Sequence, residues 1–275
     1  MFVTRLLSGI VLVLLAGTII TYGGHVLLAV TFLISVIGLT ELFKILHVEK
    51  GILGFTGYIA AAGYYGLLYA EKEEYFLLYS LAYLMVVMAV YVLTFPNYKT
   101  DQILLVYFGF FYVVVMLAHL YKTRMLEGGL YIVWLIFLCS WVCDTCAYCV
   151  GMLCNKFIGT HKLAPKLSPK KSIEGAIGGV VGSVLLGMLY GYLAGDQLNG
   201  IENPVVSLAI ICGAGAVISQ IGDLAASAIK RNYEIKDYGK LIPGHGGILD
   251  RFDSVIFTAP VIYFLADMFL RVSVK

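Results

Sequence analysis

The chain has 275 residues, of which 60% are hydrophobic and only 13% charged, with a formal net charge of +2. Its mean hydropathy of +0.90 excludes a soluble globular domain. So small a net charge also gives no reason to expect a nucleic-acid partner.

Crossing ~30 Å of hydrocarbon takes about 20 apolar residues in a helix, and runs of that length recur from end to end. Nine windows are predicted, at 6–21, 25–43, 52–70, 75–95, 102–121, 129–153, 174–194, 204–229 and 252–271. The first two are separated only by Tyr22, Gly23, Gly24 and His25. Arg5 before an apolar run could also open a signal peptide, but no small-x-small cleavage site stands out before the second window. The expected fold class is therefore an all-α polytopic integral membrane protein. With the N-terminus in the cytoplasm, fourteen of the 19 Lys and Arg residues fall in cytoplasmic loops, and the acidic run Glu71-Lys72-Glu73-Glu74 falls outside. The excess of basic residues favours that orientation.

Composition divides the chain into two regions, 1–125 and 126–275. The first reads as five apolar spans without an ionisable residue at mid-span. The second holds nearly everything polar at depth and is the expected catalytic region. In the sixth window Asp144 interrupts Trp141-Val142-Cys143-Asp144-Thr145-Cys146, and a carboxylate there needs a partner, a proton or a polar cavity. Cys143, Cys146 and Cys149 have the spacing of a metal site. On an apolar helix that spacing also fits small packing residues, which is the reading preferred here. The loop that follows is basic, with Lys156, His161, Lys162, Lys166 and Ser168-Pro169-Lys170-Lys171-Ser172, and Ser172 is placed to cap the seventh helix. That helix carries Gly175, Gly178, Gly179, Gly182, Gly187 and Gly191, a spacing that lets neighbouring backbones approach and predicts a central position.

The eighth window ends in a polar stripe. Gln220, Asp223, Ser227 and Lys230 follow the helical rhythm, so they share one face and are expected to point into a cavity opening toward the cytoplasm. The polar island 227–254 then packs Lys230, Arg231, Lys236, Asp237, Lys240, His245, Asp250, Arg251 and Asp253 around Gly246-Gly247. Asp250 and Asp253 open the ninth window, favoured there by the helix dipole, with Arg251 set between them. The glycine pair would free backbone N–H groups to approach an anion. Carboxylates beside a basic cluster suit Mg²⁺ bound together with substrate phosphates. On the residues alone, an ion-coupled transporter using Asp144 and Asp223 is the alternative.

This constellation resembles the phosphatidate cytidylyltransferase (CDP-diacylglycerol synthase) family. The family signature S-x-apolar-K-R-x4-K-D-x-small-x2-apolar-[PGS]-x-H-G-G-apolar-x-D-R-apolar-D is matched without a gap from Ser227 to Asp253. Asp144-x-x-Ala147-Tyr148, Ser168 to Gly175 and Gln220-x-Gly222-Asp223 are similar too. Thr160 stands where members often carry a basic residue, and Ser172 where they often have Thr. The resemblance implies transfer of a cytidylyl group from CTP to phosphatidic acid, with release of pyrophosphate. It implies that Asp223 and Asp250 hold the catalytic metals, Mg²⁺ and a second ion, with Asp253 assisting. Lys230, Arg231, Lys236 and Arg251 would neutralise phosphate charge. Asp237 belongs to the same signature, and His245 would position a group or assist the leaving group. Asp144, Ser168, Lys170, Lys171, Ser227, Gly246 and Gly247 would contact substrate. The implied partners are CTP, phosphatidic acid and membrane lipid, with room for a homodimer. The implied location is a bacterial inner membrane, with the active site facing the cytoplasm.

Overall fold

A computed structural model describes residues 2–198, 200–242 and 246–272 of the chain. Helices cover all nine apolar windows: α1 (Phe2–Tyr22), α2 (Gly24–Ile45), α3 (Ile52–Tyr69), α4 (Phe76–Thr94), α5 (Thr100–Gly109), α6 (Met116–Met125), α7 (Gly129–Phe137), α8 (Cys143–Phe157), α9 (Ile173–Ala194), α10 (Pro204–Asn232) and α11 (Leu249–Val272). Short π-helical turns, Phe110–Val115 and Leu138–Val142, join α5 to α6 and α7 to α8, so each pair forms one continuous rod. Among the described residues, seven helices are long and apolar enough to cross a membrane, the first being Gly24–Ile45 and the last Leu249–Arg271. The architecture is that of a helical membrane protein, with one departure from all-α. The basic loop after α8 forms an antiparallel hairpin, β1 (Lys162–Ala164) against β2 (Ser168–Ser172).

The chain folds as two units. The first comprises Met1–Tyr121 and Asp237–Arg251, and the second Lys122–Lys236 and Phe252–Lys275. In the first unit α2, α3, α4 and α5 pack through Leu39, Leu42, Phe43, Leu53 and Phe110, all essentially inaccessible. Phe110 is ringed by Tyr64, Tyr79 and Tyr83 at centroid separations of 5.1–6.2 Å, the edge-on and tilted geometries that aromatic rings prefer.

In the second unit α9 lies between α8 and α10. In lipid the hydrophobic effect does not drive helices together, so close backbone approach must do so. The α9 glycines provide it. A β-carbon at Gly182 would lie 2.5 Å from the Cys146 sulfur, one at Gly179 would lie 2.8 Å from the Cys143 carbonyl, and one at Gly187 would lie 2.7 Å from the Cys212 sulfur. Cys143, Cys146 and Cys212 thus fill the space the glycines leave, as the packing reading expects for the first two, whereas Cys149 is exposed. The Ser172 hydroxyl caps α9 by accepting the Gly175 N–H at 3.1 Å.

Candidate active site

The second unit gathers three stretches of sequence around Asp223. The α10 stripe forms as expected. Gln220 Nε2 donates to the Ala176 carbonyl of α9 at 3.0 Å, and the Ser227 hydroxyl donates to Asp223 Oδ1 at 3.5 Å. Asp223 Oδ2 accepts an ion-paired hydrogen bond from the ammonium of Lys171, with both side chains half-buried. The hairpin explains which lysine arrives. At the end of β2 next to α9, Lys171 and Ser172 are covered, while Pro169 and Lys170 are exposed and Ser168 is half-buried at the other end.

The third stretch is α11. Gly222 has no side chain, and a β-carbon there would lie 2.9 Å from the Asp253 carbonyl oxygen. That close approach sets Asp253 beside Asp223, within electrostatic range of Lys230 and Asp144 as well. Asp253 Oδ1 accepts the N–H of Ser254 at 2.8 Å, which holds the carboxylate against the start of the helix. Asp144, on the first turn of α8, has an exposed side chain. The second unit therefore combines Asp223, Asp253, Lys171 and Lys230, with Asp144 in range. Opposite charges interleave there, with oxygen donors and ammonium groups suited to a polyphosphate.

The first unit holds the glycine loop. Asp250 is only 7% exposed, and its Oδ2 accepts the N–H groups of Tyr238 at 2.8 Å and Gly247 at 2.9 Å. Ile242 N–H donates to the Gly246 carbonyl at 2.9 Å, from one side of Pro243, Gly244 and His245 in sequence to the other. Those three, including the candidate His245, lie outside the described residues. Sequence reasoning missed the residue at the centre of this arrangement. Glu41 of α2, 4% exposed, accepts the Ile248 N–H with Oε1 and the Leu249 N–H with Oε2, each at 2.9 Å. The Gly247, Ile248 and Leu249 amides, which the glycine pair was expected to free for an anion, thus meet protein carboxylates. The available signal was a lone Glu in the apolar run Leu39-Thr40-Glu41-Leu42-Phe43.

Arg231, Lys236 and Asp237 are exposed. Arg251 is exposed too, and among the described residues its guanidinium makes no ion pair. Being placed between two aspartates in sequence does not pin it, because successive helical residues point about 100° apart.

Among the described residues no group of three or more His, Cys, Asp or Glu side chains is placed to hold a metal ion. Mg²⁺ needs no such cage. It takes one or two carboxylates and completes its shell with water and substrate phosphates. The neighbouring Asp223 and Asp253 supply hard oxygen donors of that kind, and Asp223 already pairs with a cation, so the donor set fits.

Comparison with known proteins bears on the whole chain. Residues 3–269 match a sequence model described as the cytidylyltransferase family. A protein of Bacillus subtilis (strain 168) named phosphatidate cytidylyltransferase is 30% identical over 274 residues, covering 96% of this chain and 97% of its own length. Proteins of the same name are similar at 32% identity over 266 residues in Staphylococcus epidermidis (strain ATCC 35984 / DSM 28319 / BCRC 17069 / CCUG 31568 / BM 3577 / RP62A) and at 31% over 269 residues in Staphylococcus aureus (strain COL). Both matches cover 95% of this chain and 97% of the relative.

Proposed function

The chain belongs to the cytidylyltransferase family, and from that premise we propose that it joins CTP to phosphatidic acid, giving CDP-diacylglycerol and pyrophosphate. The geometric observation that carries this reading is the convergence of Asp223, Asp253, Lys171 and Lys230 from three separate segments of the second unit. Family membership displaces the ion-coupled transporter considered from Asp144 and Asp223.

In the reaction a phosphate oxygen of the lipid attacks the α-phosphorus of CTP, and the bond from that phosphorus to the bridging oxygen breaks. Pyrophosphate leaves with that oxygen. Both reactants are anions, so the barrier consists largely of charge repulsion and of the charge that builds on the leaving group. Lys171 and Lys230 offset that repulsion with ammonium donors, and exposed Arg231, Lys236 and Arg251 add positive charge for the incoming triphosphate. The lipid phosphate is already deprotonated near neutral pH, so no general base is required. When bound, Mg²⁺ would neutralise phosphate oxygens and orient the triphosphate. Asp223 and Asp253 would hold it, and the resemblance adds Asp250. The enzyme would lie in a bacterial inner membrane with the polar stripe of α10 toward the cytoplasm, where CTP is found.

The test is incorporation of α-³²P-labelled CTP into lipid by the purified protein in vesicles containing phosphatidic acid. Incorporation should require Mg²⁺, stop on chelation and return when Mg²⁺ is restored. Transfer that persists at full rate in chelator would remove the metal from the proposal. No transfer under any divalent ion would remove the reaction.

A further inference from the structure

We infer that Glu41 is a positioning residue whose carboxylate holds residues 246–251 in the one conformation that presents the Asp250–Arg251 segment for chemistry. The catalytic consequence rests on the function proposed above; the anchoring itself does not.

A buried carboxylate is costly unless its charge is matched by donors. At 4% exposure, Glu41 finds them in two consecutive backbone amides, with Lys44 of the same helix partly offsetting the like charge of nearby Asp250. The amides are those of Ile248 and Leu249, where α11 begins, so the carboxylate also sits at the positive end of the helix dipole. Each oxygen serves one amide, and such a two-point contact fixes orientation as well as distance. Both oxygens are thereby engaged, which fits an anchor and leaves little for a metal.

The surroundings are cut to this carboxylate. A β-carbon at Gly239 or at Gly247 would collide with the Glu41 oxygens, so both positions stay open for it. One turn earlier on α2, a β-carbon at Gly38 would lie 3.0 Å from Leu249 Cδ2, so that glycine accommodates the first residue of α11. Asp250 secures the other side of the loop through the Tyr238 and Gly247 amides. The segment is thus clamped between two buried carboxylates, one local and one 207 residues away in sequence. Glu41 itself lies outside the signature and meets it only at the Ile248 and Leu249 backbone amides, so replacing Glu41 releases the loop while leaving every signature side chain chemically unaltered.

The experiment compares full-length wild type with Glu41→Gln and Glu41→Asp, measuring amide hydrogen exchange and steady-state kinetics on the folded fraction. Gln keeps the shape but replaces one acceptor with a donor that faces an N–H. Loss of a charged hydrogen bond should speed exchange at Ile248 and Leu249 by about tenfold or more, with α9 unchanged. For Glu41→Gln, kcat should fall about tenfold while KM for CTP changes by less than about threefold, the signature of lost alignment rather than lost binding. Glu41→Asp retains both acceptors and should regain part of kcat. If Glu41→Gln does not fold, Glu41→Asp and Gly247→Ala, which displaces the carboxylate without altering charge, carry the same two measurements. Native exchange rates at Ile248 and Leu249 would overturn the anchor. Faster exchange with unaltered kcat would overturn the positioning role, as would a loss of protection spread over the whole chain. If wild type itself makes no lipid-linked cytidylate, the functional reading fails, and exchange alone still upholds or overturns the anchor.

Discussion

Asp223 is paired with a cation, and the cation is a lysine from a different segment, Lys171. Its place on a polar stripe was legible in the helical rhythm from Gln220 to Lys230, because a polar stripe on an apolar helix must face protein or water. Its partner was not legible. Lys170 and Lys171 are equivalent as sequence, and only the folded hairpin brings Lys171 to Asp223 and leaves Lys170 exposed. Asp223→Asn keeps the size but removes the charge, and it should lower kcat by about a hundredfold or more, about 2.7 kcal/mol. The protein should elute as a folded species, and full activity in this variant would dismiss Asp223 from the site. Arg251 calls for a different measurement, since its guanidinium is exposed and makes no ion pair among the described residues. An unpinned side chain must be ordered when substrate binds, and Lys cannot reproduce the planar two-pronged donor. Arg251→Lys should therefore lower kcat/KM by about tenfold at all salt concentrations. If it serves only as surface charge, Lys will match wild type, and added salt will weaken both equally.

Among the helices, α9 shows how far small residues can be read. Its glycine spacing predicted close helix contacts and a central position. The contacts to Cys143, Cys146 and Cys212 bear out the first. Ile177, Val181, Leu185, Leu189 and Tyr192 leave its other face exposed, so α9 is not central. Gly182→Val would drive methyl groups into the Cys146 sulfur and should destabilise the protein by roughly 1–3 kcal/mol, a lower apparent Tm in detergent. The adjacent Val181 is 51% exposed and faces away from that contact, so Val181→Leu should change stability by no more than about 0.5 kcal/mol. Equal effects at the two positions would mean that α9 is not packed through its glycine face. The hairpin before α9 was hidden for a physical reason. The stretch from Lys162 to Ser172 is basic and proline-broken, without the apolar alternation that marks a half-buried strand.

For the molecule as a whole, orientation follows from charge. The loops bearing Lys166 and Lys240 carry the basic excess and should be cytoplasmic, and the acidic loop at Glu73 should lie opposite. Single cysteines at 166 and 240 should react with an impermeant thiol reagent only from the cytoplasmic face, and one at 73 only from the other. The background must first lose the exposed Cys149. Shared accessibility of positions 73 and 240 would change the number of spans between them and with it the side on which CTP is met.

Sequence alone determined the helical membrane-protein class, because helix length and hydropathy are properties of contiguous residues and need no tertiary partner. Of the nine windows expected, seven helices among the described residues are long and apolar enough to cross. It also determined the family, since the signature from Ser227 to Asp253 is contiguous and ungapped. Only the tertiary structure decided that Glu41 anchors the loop, that Lys171 rather than Lys170 meets Asp223, and that Asp253 settles beside Asp223 across Gly222. Each of these is a charged or polar pairing between segments far apart in the chain. Such a pairing leaves no periodic trace in either segment, because its energy depends on geometry that exists only once the helices have packed.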